Sequence, residues 1–168
     1  MLKKLKARLK MWGQIIGAAL GYTTYRGTKK AIVDDGKDKQ IDTVARTLWG
    51  EARGEGVQGM QAVANVIMNR VKKGGWLGTT PEEVCLKPSQ FSCWLKSDPN
   101  RQKLLAVNES DNNFLLAKQL ATSAVNGKLP DITNGATHYL ALGSLSKVPS
   151  WASSMKKVAS IGNHTFYA

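Results

Sequence analysis

Between Val57 and Val71 the apolar residues Val57, Met60, Val63, Ala64, Ile67 and Val71 are separated by three, three, one, three and four positions. That is the period of a helix with one buried face. The adjacent glycines Gly74-Gly75 stop it. Phe114 through Val125 repeats the helical pattern, and Asn126-Gly127 ends it. Upstream, Asp42 or Thr43 can cap a first helix that runs to the Trp49–Gly56 stretch. The polar, charge-mixed run Asp34–Lys39 is the natural linker before it, so the compact domain is expected to begin near Ile41. Residues 75–100, rich in Gly, Pro, Ser and Thr, predict a long irregular segment. A loop of that length in a compact domain is more often functional than idle. Toward the C-terminus, Thr137-His-Tyr-Leu and Asn163-His-Thr-Phe-Tyr alternate as strands do. The expected fold class is therefore α+β, predominantly helical, with helices first and short C-terminal strands. No internal repeat is present.

Length and charge divide the chain in two. At 168 residues it suggests one domain with an appendage, and 42% apolar content can fill a core. Of the net charge of +12, residues 1–30 supply +8 from eight basic residues and no acid; the other 138 residues carry +4. The expected division is a basic N-terminal arm, 1–40, and a compact domain, 41–168. In the arm, Leu2, Leu5 and Leu9 lie along one helical face of MLKKLKARLK, and the uncharged run Met11–Tyr25 follows. That run is shorter than the roughly 20 residues of a membrane span. Three readings stay open for it: a weak signal or signal-arrest segment, an interfacial amphipathic helix, and a cytosolic basic arm. An anionic membrane is the partner the arm suits. Nucleic acid is not expected as a partner, because aromatic residues such as Trp12 and Tyr22 are too few there to stack on bases.

Cysteine and histidine are sparse. Cys85 and Cys93 fit a loop-stapling disulfide and fit two reduced thiols equally well. His138 and His164 are the only histidines, too few for a zinc site of about three protein ligands. No metal or cofactor is expected. Cys93 with His164 as a nucleophilic pair is a weak alternative, since no positive residue adjoins Cys93 to lower its pKa.

The run Trp49-Gly-Glu-Ala-Arg-Gly-Glu-Gly56 carries the candidate chemistry. Glu51 and Glu55 are four apart and would share a face on one helical turn. The surrounding glycines would let a polymer approach the backbone. A carboxylic acid beside an aromatic residue in a partly dry cleft can keep its proton near neutral pH, as a general acid must. Spacing alone leaves open a solvated helix end with two surface glutamates.

The same run opens a wider resemblance. Trp49 to Arg70, WGEARGEGVQGMQAVANVIMNR, resembles the start of the SleB/CwlJ-type cell-wall hydrolase domain of spore cortex-lytic and phage lysis enzymes. Pro88-Ser-Gln-Phe-Ser-Cys-Trp94, Gly135-Ala-Thr-His-Tyr139 and Ile161-Gly-Asn-His-Thr-Phe-Tyr167 follow in the family's order. The resemblance implies a lysozyme/lytic-transglycosylase-like catalytic domain acting on peptidoglycan glycan strands. It implies Glu51 as general acid, with Glu55 supporting it and Arg53 as a structural partner for an acid. Gln90, Phe91 and Trp94 are expected in the glycan groove, against the alternative of a loop folded on its own small core. Tyr139 is expected to point into the cleft and stabilise an oxocarbenium-like state, and Trp151 to be wall or core. From Ile41 onward the acids are Asp42, Glu51, Glu55, Glu82, Glu83, Asp98, Glu109, Asp111 and Asp131, none in the three later blocks. That scarcity favours a one-carboxylate, lytic-transglycosylase mechanism over a two-carboxylate hydrolysis. The compact layout suits a phage or prophage endolysin that acts on the bacterial wall, exported or membrane-held through residues 1–30. A non-catalytic wall- or membrane-binding protein on the same scaffold is the alternative, and the intact Glu51 argues against it.

Overall fold

The structure, a computed structural model, describes residues 35–141 and 148–168. The readings made for residues 1–30 lie outside them. The first helix, α1, spans Asp35–Ala52. Its apolar residues Ile41, Val44, Ala45, Leu48, Trp49 and Ala52 are all buried. The helix starts earlier than expected, so Asp35–Lys39 form its first turns and not a linker. Asp42 and Thr43 are interior residues and not caps. Asp42 accepts from Arg46 Nε one turn on, at 2.8 Å, and Thr43 donates to the Lys39 carbonyl at 2.9 Å. The polar residues read as a linker form a helical turn just as well, because Gly36 is the only breaker among them.

The second helix, α2, spans Gly56–Lys73. It stops at Gly74, whose φ of 66° only glycine adopts freely and whose N–H donates to the Arg70 carbonyl. One face of α2, with Met60, Val63, Ala64 and Ile67, belongs to the main core. Its other face, with Ala62 and Val66, packs on the sheet residue Phe166. This helix is thus covered on both sides, and it joins the helical layer to the strands.

The segment expected to be irregular is a chain of short helical pieces. A 3-10 turn at Gly75–Leu77 leads to α3, Pro81–Leu86. There Thr80 and Glu83 form a capping box with Pro81 in the first turn. A second 3-10 turn, Ser92–Trp94, precedes α4, Arg101–Ala106. The helix α5, Asn112–Val125, is capped by Asp111, which accepts from the N–H groups of Asn113 and Phe114. It packs against α1 and α2.

Three strands follow: β1, His138–Ala141; β2, Lys157–Ile161; and β3, His164–Tyr167. A short helix, α6, Ser150–Ser154, precedes β2. The sheet is antiparallel in the order β1-β3-β2, with Tyr139 opposite Phe166 and His138 opposite Tyr167. Alternation along β1 turns Tyr139 to the face that carries the buried Phe166 and His138 to the other. The expected fold class, helices first and short strands last, is what the structure shows.

Candidate active site

Glu51 lies in the last turn of α1, half-buried, with a donor on each carboxylate oxygen. The Tyr139 hydroxyl donates to Oε2 at 2.8 Å, and the Cys93 backbone N–H donates to Oε1 at 3.3 Å. The first donor comes from the sheet and the second from the Ser92–Trp94 turn. Burial, together with the Glu51 carboxylate, pushes the Tyr139 phenol well above its ordinary pKa, so it stays a donor. His164 meets the Tyr139 ring edge-on at 5.2 Å and Phe166 flanks it at 5.8 Å.

Gly50 is what lets the turn come so close. A Cβ there would stand 2.8 Å from Cys93 Cβ and 3.0 Å from its sulfur. The glycine beside the acid therefore makes room for the protein's own loop, not for a polymer as expected. Burial and the neighbouring Glu51 push the Cys93 thiol far up, and burial pushes Cys85 up to about 12. Both cysteines are free and buried. This resolves the disulfide question toward two thiols, and it removes Cys93 as a nucleophile, since only the thiolate reacts.

Glu55 is not on the helical turn of Glu51, because α1 ends at Ala52. It is the residue before α2. Its Oε2 accepts from the Asn163 N–H and its Oε1 from the Asn163 side-chain amide, each at 3.0 Å. These bonds lower the Glu55 pKa. Gly162 lets the hairpin loop lie against the carboxylate: a Cβ there would fall 2.5 Å from Oε2, and its φ of 55° favours glycine. The two glutamates are therefore separated in role. Glu51 faces the cleft, and Glu55 pins the β2–β3 loop to the α1–α2 junction.

The expected groove residues are placed differently. Phe91 is 2% exposed and belongs to the core, beneath the Arg70 guanidinium at 5.1 Å, so it offers no face to a sugar. Gln90 spends its amide internally: Nε2 donates to the Leu77 carbonyl and Oε1 accepts from Arg70. Trp94 donates its indole N–H to Thr47 and packs part-buried against the core. Among the described residues Arg53 pairs with no acid, contrary to expectation. It stacks on the Trp49 ring at 4.3 Å and donates to the carbonyls of Trp49 and Gly50 at the end of α1. Trp151 is wall, against His138 at 5.0 Å and Tyr167 at 5.6 Å.

Two organising residues escaped the reading. Arg70 is 7% exposed and holds the Thr137 carbonyl at 2.8 Å as well as Gln90. Its place three residues after Ile67, on the buried face of the periodic helix, was the available signal. Asn163 has no such signal, because its partner Glu55 is 108 positions away.

A cavity of about 240 Å³ opens beside the acid, lined by Trp49, Gly50, Glu51, Arg53, Ser92, Cys93, Asp98, Asn100 and Leu104. Among the described residues no three His, Cys, Asp or Glu side chains cluster as metal ligands.

Comparison with known proteins places this geometry. The family model of the cell wall hydrolases matches residues 54–167. The match begins three residues past Glu51. A spore cortex-lytic enzyme of Bacillus cereus is 28% identical over 160 residues, 87% of this chain and 56% of the relative. One from Halalkalibacterium halodurans is 30% identical over 132 residues, 77% of this chain and 34% of the relative. The chain thus spans about half or less of the relatives' length. The crystal structure of the catalytic domain of the Bacillus cereus SleB protein superposes with a TM-score of 0.61 at 27% identity, covering 84% of this chain and 100% of that one. The catalytic domain of the germination-specific lytic transglycosylase SleB from Bacillus anthracis gives 0.59 at 27% identity, covering 77% and 93%.

Proposed function

The chain belongs to the cell wall hydrolase family, and from that premise we propose that it cleaves peptidoglycan glycan strands between N-acetylmuramic acid and N-acetylglucosamine by lytic transglycosylation. The observation that carries the proposal is the Glu51 carboxylate, which borders the cavity and has one fixed donor on each oxygen. In this reading Glu51 enters as the acid and gives its proton to the glycosidic oxygen as the bond to the muramic anomeric carbon breaks. The N-acetylglucosamine 4-hydroxyl leaves, and positive charge builds on the muramic ring. The carboxylate then takes the proton of the muramic 6-hydroxyl while that oxygen bonds to the anomeric carbon. The ring closes and Glu51 is an acid again. No water attacks, so no second carboxylate is needed to activate one, in contrast to ordinary glycoside hydrolysis. The nucleophile is held in the same molecule, a large proximity advantage. Tyr139 and the Cys93 N–H suit the carboxylate form that exists between the two proton transfers.

Glu51→Gln removes the proton and keeps the shape. We expect it to fold normally and to clear wall suspensions at least about 10²-fold more slowly, the lower range for general acid catalysis. Mass spectrometry of the wild-type digest should show 1,6-anhydro-N-acetylmuramic ends. Clearing at the parent rate by the variant overturns the site; reducing muramic ends overturn the transglycosylation.

The biological role that fits this activity is wall lysis of the phage or prophage kind, with residues 1–34 delivering the domain. The basic run supports that reading through its attraction to anionic lipid. Expression in a bacterial host with and without residues 1–34, scored by lysis, tests it.

A further inference from the structure

Arg53 is a fixed cation with no acid of its own. Its guanidinium is immobilised on the Trp49 ring and on two helix-end carbonyls, and among the described residues no carboxylate lies in ion-pair reach of it. It borders the same cavity of about 240 Å³ as Glu51. Asp98 borders that cavity too. One of its oxygens accepts from the Asn100 N–H at 2.7 Å, within its own turn, and no cation pairs with it among the described residues. A cation and an anion thus share one cavity without neutralising each other.

We propose that this cavity takes the peptide stem of the substrate, with Arg53 binding a stem carboxylate and Asp98 a stem ammonium. The inference rests on the reading of Glu51 as the acid. The chemistry of the wall polymer supports it. The stem hangs from the lactyl ether of the muramic ring, the same ring whose anomeric bond Glu51 would break. A subsite next to the acid is therefore within reach of the stem. Stem peptides carry free carboxylates and, on their diamino residue, an ammonium. A purely anionic wall polymer would meet Asp98 as a repulsive group, whereas a peptide with both charges matches the cavity. The volume is below the roughly 300–1,000 Å³ of pockets that enclose a whole drug-sized ligand. It suits one residue of a branch and not the glycan chain itself. Arg53 is also pre-ordered, so little side-chain freedom is lost when it binds.

The test compares intact sacculi with glycan strands from the same sacculi stripped of peptides by an amidase. The wild-type protein should cleave the peptide-bearing glycan with about tenfold higher kcat/KM, the scale of one charge-assisted hydrogen bond. Arg53→Gln and Asp98→Asn should each move that ratio toward one. Asp98→Asn serves if Arg53→Gln fails to fold by thermal melt, because Asn keeps an oxygen to accept from Asn100. Equal wild-type rates on the two substrates, or an unchanged ratio in the folded variants, overturn the stem subsite and leave the Glu51 reading standing. Cleavage of neither substrate overturns both.

Discussion

At the scale of the residue, the site turns on how one carboxylate is held. Tyr139 and Cys93 reach Glu51 from 88 and 42 positions further along the chain, and one of the two donors is a backbone N–H that only proline would remove. Tyr139→Phe isolates the other. It keeps the ring, and with it the contacts to His164 and Phe166, and deletes only the hydroxyl. We expect kcat to fall about tenfold, the effect of one hydrogen bond to a charged group, with KM and melting temperature nearly unchanged. A loss confined to KM would make Tyr139 a substrate contact. A large drop in melting temperature would make it a core residue first. Glu51 and Tyr139 both lie in motif blocks of the sequence, but the hydrogen bond that joins them, in place of the cleft-facing role expected for Tyr139, is seen only in the structure. Phe91 and Gln90 sit in such a block too, but a motif does not say which of its side chains face outward. Phe91 is part of the core with the Arg70 guanidinium over its ring, and Gln90 supplies the acceptor that the buried Arg70 needs.

At the scale of the element, the sheet must stay docked on the helices for Tyr139 to meet Glu51. Phe166 against Ala62 and Val66 supplies the apolar part of that docking. The Glu55 clamp on Asn163 supplies the polar part, at the far end of β3 from its Tyr167 end. The clamp carries a pH signature. Asn163 lowers the Glu55 pKa below its ordinary 4.5, so the carboxylate stabilises the folded state above that value. The contribution is lost as pH falls below 4.5 through the folded-state value. Glu55→Gln cannot titrate. Its melting temperature should lie below the wild type at about pH 7, and the gap should close toward about pH 3. A gap that does not change with pH would mean that the charge of Glu55 plays no part in the clamp. The helices with long apolar periods, α2 and α5, were legible from sequence. The pieces between Gly75 and Ala106 were not, because helices of three to six residues complete too few turns to show a period. Strand β2 was missed for a related reason. It is exposed or half-buried along its length and takes its conformation from pairing with β3.

At the scale of the whole molecule, the question is where the working unit begins. The sequence suggested Ile41, from the polar run before it. The structure moves that edge outward, since α1 already runs from Asp35 and Lys39 pairs with Glu82 of α3 at 2.8 Å. A helix cut at Ile41 would lose its first six residues and the anchor for Thr43. We therefore expect the boundary to act differently at two cuts. A protein starting at Asp34 should keep full activity on isolated walls, because Glu51, Tyr139, Glu55 and Asn163 all lie downstream on intact elements. A protein starting at Ile41 should melt lower, by an amount set mainly by the frayed helix, while still cleaving at reduced temperature. The same pair of proteins tests the arm. Full-length protein should sediment with vesicles containing anionic lipid, through the eight basic residues of 1–30, and lose that binding at high salt; the protein starting at Asp34 should stay in the supernatant. Equal, salt-insensitive partition of the two forms would strip the arm of its membrane role. Loss of wall cleavage in the protein starting at Asp34 would mean that catalysis depends on the arm, and that the domain does not begin where its first helix does.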